Sequence, residues 1–156
     1  MNEEHTRAVG MIPSGLFVIT TNLEGKQEAF LGSWIQQASF TPLMISMAVQ
    51  SGRPCYDAIQ GDGRFVINVV GKENGGILKH FWSGYDKNHS PFDVIEHTVT
   101  DFGLVLADCL GAIECRKVSS IEPGDHVIIF ADVVRCQMIK EKVDPLIYVR
   151  KSGLDY

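Results

Sequence analysis

Leu31-Gly32-Ser33-Trp34-Ile35-Gln36-Gln37-Ala38-Ser39-Phe40-Thr41-Pro42 is the stretch on which both fold and function turn. It lies between two β-prone runs, so the backbone is expected to be extended over residues 28–39, with a bend allowed at Gly32 and a stop at Pro42. A strand that only fills a core has no use for so many hydroxyls and amides. Ser33, Gln36, Gln37 and Ser39 supply neutral donors and acceptors, and Trp34 supplies an aromatic plate. That set suits a planar heteroaromatic ligand with a phosphate tail, a flavin more than a metal ion or a protein surface. The other reading is a strand whose polar residues face water, and pattern alone leaves both open.

Working outward, residues 15–21 form a β-branched and aromatic run that turns at 22–26, and residues 43–49 read as a buried strand before the turn Ser51-Gly52-Arg53-Pro54. Short helices are expected over 5–11, 55–60 and 76–82, with a strand over 64–70 between the last two. The last third is almost wholly β: residues 94–99, 111–119, 126–139 and 146–150, the long third run carrying polar interruptions that permit a bulge. Six to eight strands joined mostly by short turns, with a few short helices, predict a mainly β, antiparallel barrel over residues 1–156 as a single domain. There is no βαβ alternation and no G-x-G-x-x-G, which argues against a doubly wound dinucleotide fold.

The chain has 156 residues, 45% hydrophobic and 21% charged, enough to bury a core without covalent staples. A formal net charge of −5 disfavours nucleic acid as a partner, since phosphate backbones need a basic surface. No apolar run approaches the roughly 18–20 residues of a membrane span, and no leader-like apolar segment follows Met1, so a cytoplasmic location is expected. Cys55, Cys109, Cys115 and Cys136 are scattered without a C-x-x-C pair, and the histidines lack ligand-like spacing, so no metal site is expected. The thiols read as small core residues, with Cys55, in a loop after Pro54, the one position to test for reactivity.

Neither G-x-S-x-G nor H-E-x-x-H occurs, which removes the common hydrolase signatures. Ser51-Gly52-Arg53 offers a hydroxyl, a backbone N–H and a guanidinium close together, the combination a dianionic phosphate needs in an acidic protein. Lys87, in a polar loop, is a further candidate for the same phosphate. In Glu122-Pro123-Gly124-Asp125-His126 a tight turn places His126 at the mouth of a strand, either facing a ligand or only bonding backbone. A barrel holding haem or pyridoxal phosphate is a reading of another class, disfavoured by the lack of an axial-ligand histidine. An interaction barrel with no cofactor is a third.

Ser14-Gly15-Leu16-Phe17-Val18-Ile19-Thr20, Gly32-Ser33-Trp34-Ile35-Gln36-Gln37-Ala38-Ser39-Phe40, Arg64-Phe65-Val66-Ile67-Asn68, Glu114-Cys115, Gly124-Asp125-His126 and Arg150-Lys151-Ser152-Gly153 occur in the order seen in the flavin reductase-like family. The chain resembles most the reductase module at the C-terminus of cyanobacterial flavodiiron proteins, over residues 9–156. The resemblance implies an FMN-binding split β-barrel working as a homodimer, with each flavin near the subunit interface and FAD a less fitting cofactor. It implies hydride transfer from NADH or NADPH to flavin, with electrons passed on to an acceptor, a redox partner protein among the possibilities. The alternative is a non-enzymatic FMN-binding electron carrier or cofactor-binding module. Carried over by position, Ser33, Trp34, Gln37 and Ser39 fall on the flavin-holding strand, Ser51 and Arg53 on the phosphate turn, and His126 on the nicotinamide side; Ile35, within the same strand, and Lys87 are further candidates for the cofactor. The chain departs from the family pattern at Thr41-Pro42, where many members have two prolines, and at Phe40, where some have aspartate.

Overall fold

The computed structural model describes residues 3–82 and 90–154. Helix α1 (Glu3–Gly10) opens the chain, with Glu3 and Glu4 at its positive end and Arg7 at its negative end. Seven strands then build one antiparallel sheet: β2 (Phe17–Leu23), β3 (Lys26–Gly32), β4 (Ile35–Ser39), β5 (Met44–Gln50), β6 (Arg64–Val69), β9 (Gly111–Ile121) and β10 (His126–Met138). Their order across the sheet is β3-β2-β6-β9-β10-β5-β4. Three small pieces complete the β structure: β1 (Ser14–Gly15) paired with β11 (Ile147–Tyr148), and a hairpin of β7 (His97–Val99) and β8 (Leu104–Leu106).

The sheet curls into a barrel because its alternate residues are large and apolar. Ile19, Phe30, Ile35, Ile45, Met47, Phe65, Ile67, Cys115 and Ile129 pack in one buried cluster, each large side chain contributing about 1.5–3 kcal/mol by leaving water. Phe30 belongs to β3 and Ile35 to β4, the two outermost strands. They share a core without pairing, so the barrel is split along that seam. This is the mainly β, antiparallel split barrel that the strand pattern and the resemblance predict.

On the outer face, Leu16, Val18, Ala29, Leu104 and Leu106 form a second cluster with Phe81 and Phe92. A 3₁₀ helix over Lys72–His80 and a shorter one over Pro91–Asp93 cover it. The fully buried Asn68 ties these layers together. Its Nδ2 donates to the carbonyls of Val18 (3.1 Å) and Leu104 (3.0 Å), while its Oδ1 accepts from the Leu106 N–H at 2.9 Å. Thr20 adds a reciprocal pair, its hydroxyl donating to the Leu104 carbonyl at 2.7 Å and accepting from the Leu104 N–H at 2.9 Å.

Three expectations needed correction. The single strand over residues 28–39 is two, β3 and β4, because the chain leaves the ladder at Ser33-Trp34 to cross the seam. The helix placed over 76–82 is a 3₁₀ helix that starts earlier, at Lys72. Strand β8 was not anticipated: Leu104, Val105 and Leu106 are all buried, so the alternation that marks a half-exposed strand is missing. The expected bulge is present, with register shifts in β10 against β9 between Phe130 and Ala131 and again between Val133 and Arg135. No helix among the described residues is long and apolar enough to cross a membrane.

Candidate functional site

A cleft of about 180 Å³ lies beside the end of β3. Phe30, Leu31 and Gly32 of that strand line it together with the following Ser33, and Arg53, Phe81, Trp82 and Tyr148 contribute further lining from other segments. The Trp82 and Tyr148 rings meet edge to face with centroids 5.7 Å apart, a contact that keeps an aromatic wall upright. A smaller notch shares Phe30–Ser33 and Arg53 and runs on past Trp34 to Gln50. The Trp34 carbonyl accepts from the Ala48 N–H at 2.9 Å, which fixes the notch against β5.

Within the cleft, Ser33 is the residue that calls for a ligand. It is 4% exposed, and its Oγ is buried with no hydrogen-bond partner among the described residues. Leaving a buried hydroxyl unsatisfied costs about 1–3 kcal/mol, a cost removed when a bound molecule supplies a donor or acceptor at that point. Ser51, Gly52 and Arg53 are exposed in a turn closed by the Arg53 N–H donating to the Gln50 carbonyl at 3.3 Å, and of the three only Arg53 lines the cleft. Gly52 has φ +82°, the value required at the third position of a type II turn. The Arg53 N–H is therefore spent on the turn, and the cation that Arg53 brings to the cleft is its guanidinium.

Trp34 and His126 meet at the next level of the site. His126 begins β10 and pairs with Gln50, the residue before the Ser51 turn. Its ring lies 4.7 Å from the Trp34 ring, tilted by 43°. Asp125 Oδ1 is 2.9 Å from His126 Nδ1, and this hydrogen bond holds the Asp125 carboxyl below the usual carboxylate range. On Trp34 also sits the buried Arg150, its guanidinium carbon 4.9 Å from the ring centroid.

The other sequence candidates lie elsewhere. Ile35 is 8% exposed and packs in the barrel core. Gln37 and Ser39 are on the outermost strand β4, away from the cleft walls, with Gln37 Nε2 donating to the Ser39 carbonyl at 3.3 Å. Lys87 lies outside the described residues. Cys55 is fully buried, and desolvation pushes its thiol up to about 12, so it is inert at neutral pH. No cluster of histidine, cysteine and carboxylate that could hold a metal exists among the described residues. Sequence reasoning assigned no site role to Phe81, Trp82 and Tyr148, nor to Arg150 on Trp34, since nothing in local spacing announces that these segments converge near Ser33 and Trp34.

Residues 9–153 match the family described as flavin reductase like domain. The chain belongs to this family. Among its relatives, the flavin reductase-like domain is 32% identical over 158 residues to diflavin flavoprotein A 1 of Nostoc, covering 100% of this chain and 27% of the relative. It is 35% identical over 153 residues to diflavin flavoprotein A 4 of Synechocystis, covering 96% and 26%. The chain thus spans about a quarter of the length of these curated relatives. Of solved structures, NADH:FAD oxidoreductase SgcE6 of Streptomyces globisporus C-1027 superposes with a TM-score of 0.82 at 16% identity, over 92% of this chain and 86% of that one. At that identity the likeness concerns the fold.

Proposed function

We propose that this flavin reductase-like domain binds FMN in the cleft at the barrel seam and accepts hydride for it from NADH or NADPH, passing electrons to a separate acceptor. The observation that carries the reading is Ser33 Oγ, buried and unsatisfied on the cleft floor with the Arg53 guanidinium on the wall beside it. A neutral hydroxyl and a cation suit a ribityl chain ending in a phosphate, and the aromatic wall suits a planar ring. FMN, with a terminal phosphate, makes fuller use of Arg53 than riboflavin does. The names of similar proteins, diflavin flavoprotein and NADH:FAD oxidoreductase, support flavin and pyridine-nucleotide chemistry.

Bound flavin supplies the two-electron chemistry. The chain's own residues would bind and orient it: Ser33 would meet the ribityl or phosphate oxygens, Arg53 would neutralise the phosphate, and Trp82 and Tyr148 would bound the ring. Trp34 and His126 would form the side that receives the nicotinamide, with Asp125 fixing the imidazole. No side chain is required as nucleophile or general base. Anaerobic mixing of the FMN-loaded protein with NADH or NADPH is expected to bleach the visible flavin bands. Bleaching by dithionite alone would make the domain a carrier instead of a reductase.

A homodimer is part of the same proposal. Phe40 is 88% exposed and follows directly on β4, one of the two outermost strands of the seven-stranded sheet. An open strand edge that ends in an exposed aromatic ring favours cover by another chain. A second copy seated there would also bury the side chains of Gln37 and Ser39. Phe40→Lys is expected to move the sedimentation profile from dimer toward monomer; an unchanged profile would place the interface elsewhere.

A further inference from the structure

We infer that Arg150 is a positioning residue that holds Trp34 against His126 and so builds the nicotinamide side of the site. The Arg150 guanidinium lies 4.9 Å from the Trp34 ring centroid, and that ring lies 4.7 Å from the imidazole of His126. Arg150 is 8% exposed, and no carboxylate is paired with it in any ion pair among the described residues. A buried guanidinium normally has a carboxylate beside it; here the indole face takes that part, an attraction that strengthens where water is excluded.

The placement is built by both ends of the chain. The Arg150 N–H donates to the Gly10 carbonyl at 3.1 Å, and the Gly153 N–H donates to the Thr6 carbonyl. These bonds lay residues 150–153 along α1. A Cβ on Gly10 would stand 2.8 Å from the Ser152 carbonyl carbon, so the approach needs glycine there. Helix α1 thus clamps the backbone of Arg150, which pins Trp34 from one side while His126 meets it from another. Three segments far apart in sequence converge on one stack. A buried guanidinium lying over the ring favours one orientation of the indole, and a fixed indole gives a nicotinamide a defined surface.

The inference rests on the flavin reading of the cleft only for its kinetic consequence, and the test separates the two. In flavin-free protein, the His126 imidazole protons are expected to be displaced by the Trp34 ring current, with Trp34→Leu as the zero. Arg150→Met is expected to remove at least half of that displacement, and Arg150→Lys, which keeps the charge but loses the planar face, to give an intermediate value. In FMN-loaded protein, Arg150→Met is expected to raise the KM for pyridine nucleotide about three- to tenfold with kcat changed less than about twofold. Should Arg150→Met fail to fold, Arg150→Lys carries both measurements. An undiminished ring-current displacement in a folded variant overturns the inference, and so does a collapsed one accompanied by a wild-type KM. Failure of the flavin reading shows separately, as wild-type protein that takes up no flavin.

Discussion

Arg53→Ala is expected to weaken FMN binding about 10- to 100-fold, the equivalent of one charge-assisted hydrogen bond of about 1.5–3 kcal/mol. Riboflavin, which has no phosphate, should lose less than about threefold from the same change. The contrast follows from geometry. Arg53 stands at the cleft wall on a turn whose own N–H is already committed to Gln50, so its contribution is the charged side chain. In a protein of net charge −5, a cation lining the cleft has a large share in receiving a dianion. Parallel titrations of variant and wild type with the two flavins make the comparison. Equal losses for both would remove Arg53 from the phosphate.

The largest effect on stability is expected at Asn68. Asn68→Leu removes the donor to Val18 and Leu104 and the acceptor for Leu106. It leaves buried backbone groups of β8 without those partners, for a destabilisation of about 3 kcal/mol. For a domain of this size that corresponds to a fall in Tm of about 6–12 °C. Asn68→Asp should be comparably harmful, because the carboxylate cannot donate to the two carbonyls. Calorimetry or thermal circular dichroism measures both. A loss under about 1 kcal/mol would mean that the Thr20 bonds, the β7 pairing and apolar contacts hold β8 without Asn68.

Residue type made the barrel strands legible. Phe17 to Thr21 and Met44 to Val49 carry the β-branched and apolar residues that strands select, and both are strands, the first buried on both faces and the second alternating. The same logic misled over residues 28–39. A continuous strand would place Ser33, Gln37 and Ser39 on one face, whereas the chain breaks out of the ladder at Ser33-Trp34 and slips register again between Gln37 and Ser39. The hydroxyls and amides therefore separate into two groups, one in the cleft and one on the sheet edge. Residue type marks both Trp34 and His126 as candidates, but their contact depends on the pairing of His126 with Gln50 across the barrel, which no local pattern encodes. Arg150 stands in a segment that carries the family resemblance, but its role was not legible, since its partner is an indole over a hundred residues away in sequence and its backbone is fixed by α1.

The most direct test of the central claim is a titration of flavin-free protein with FMN, followed by quenching of the flavin emission, for wild type and for Ser33→Leu. The account predicts saturable uptake of one FMN per chain in the wild type, and its loss when an apolar side chain replaces the unsatisfied hydroxyl on the cleft floor. No saturable uptake by the wild type, or undiminished uptake by Ser33→Leu, would contradict it.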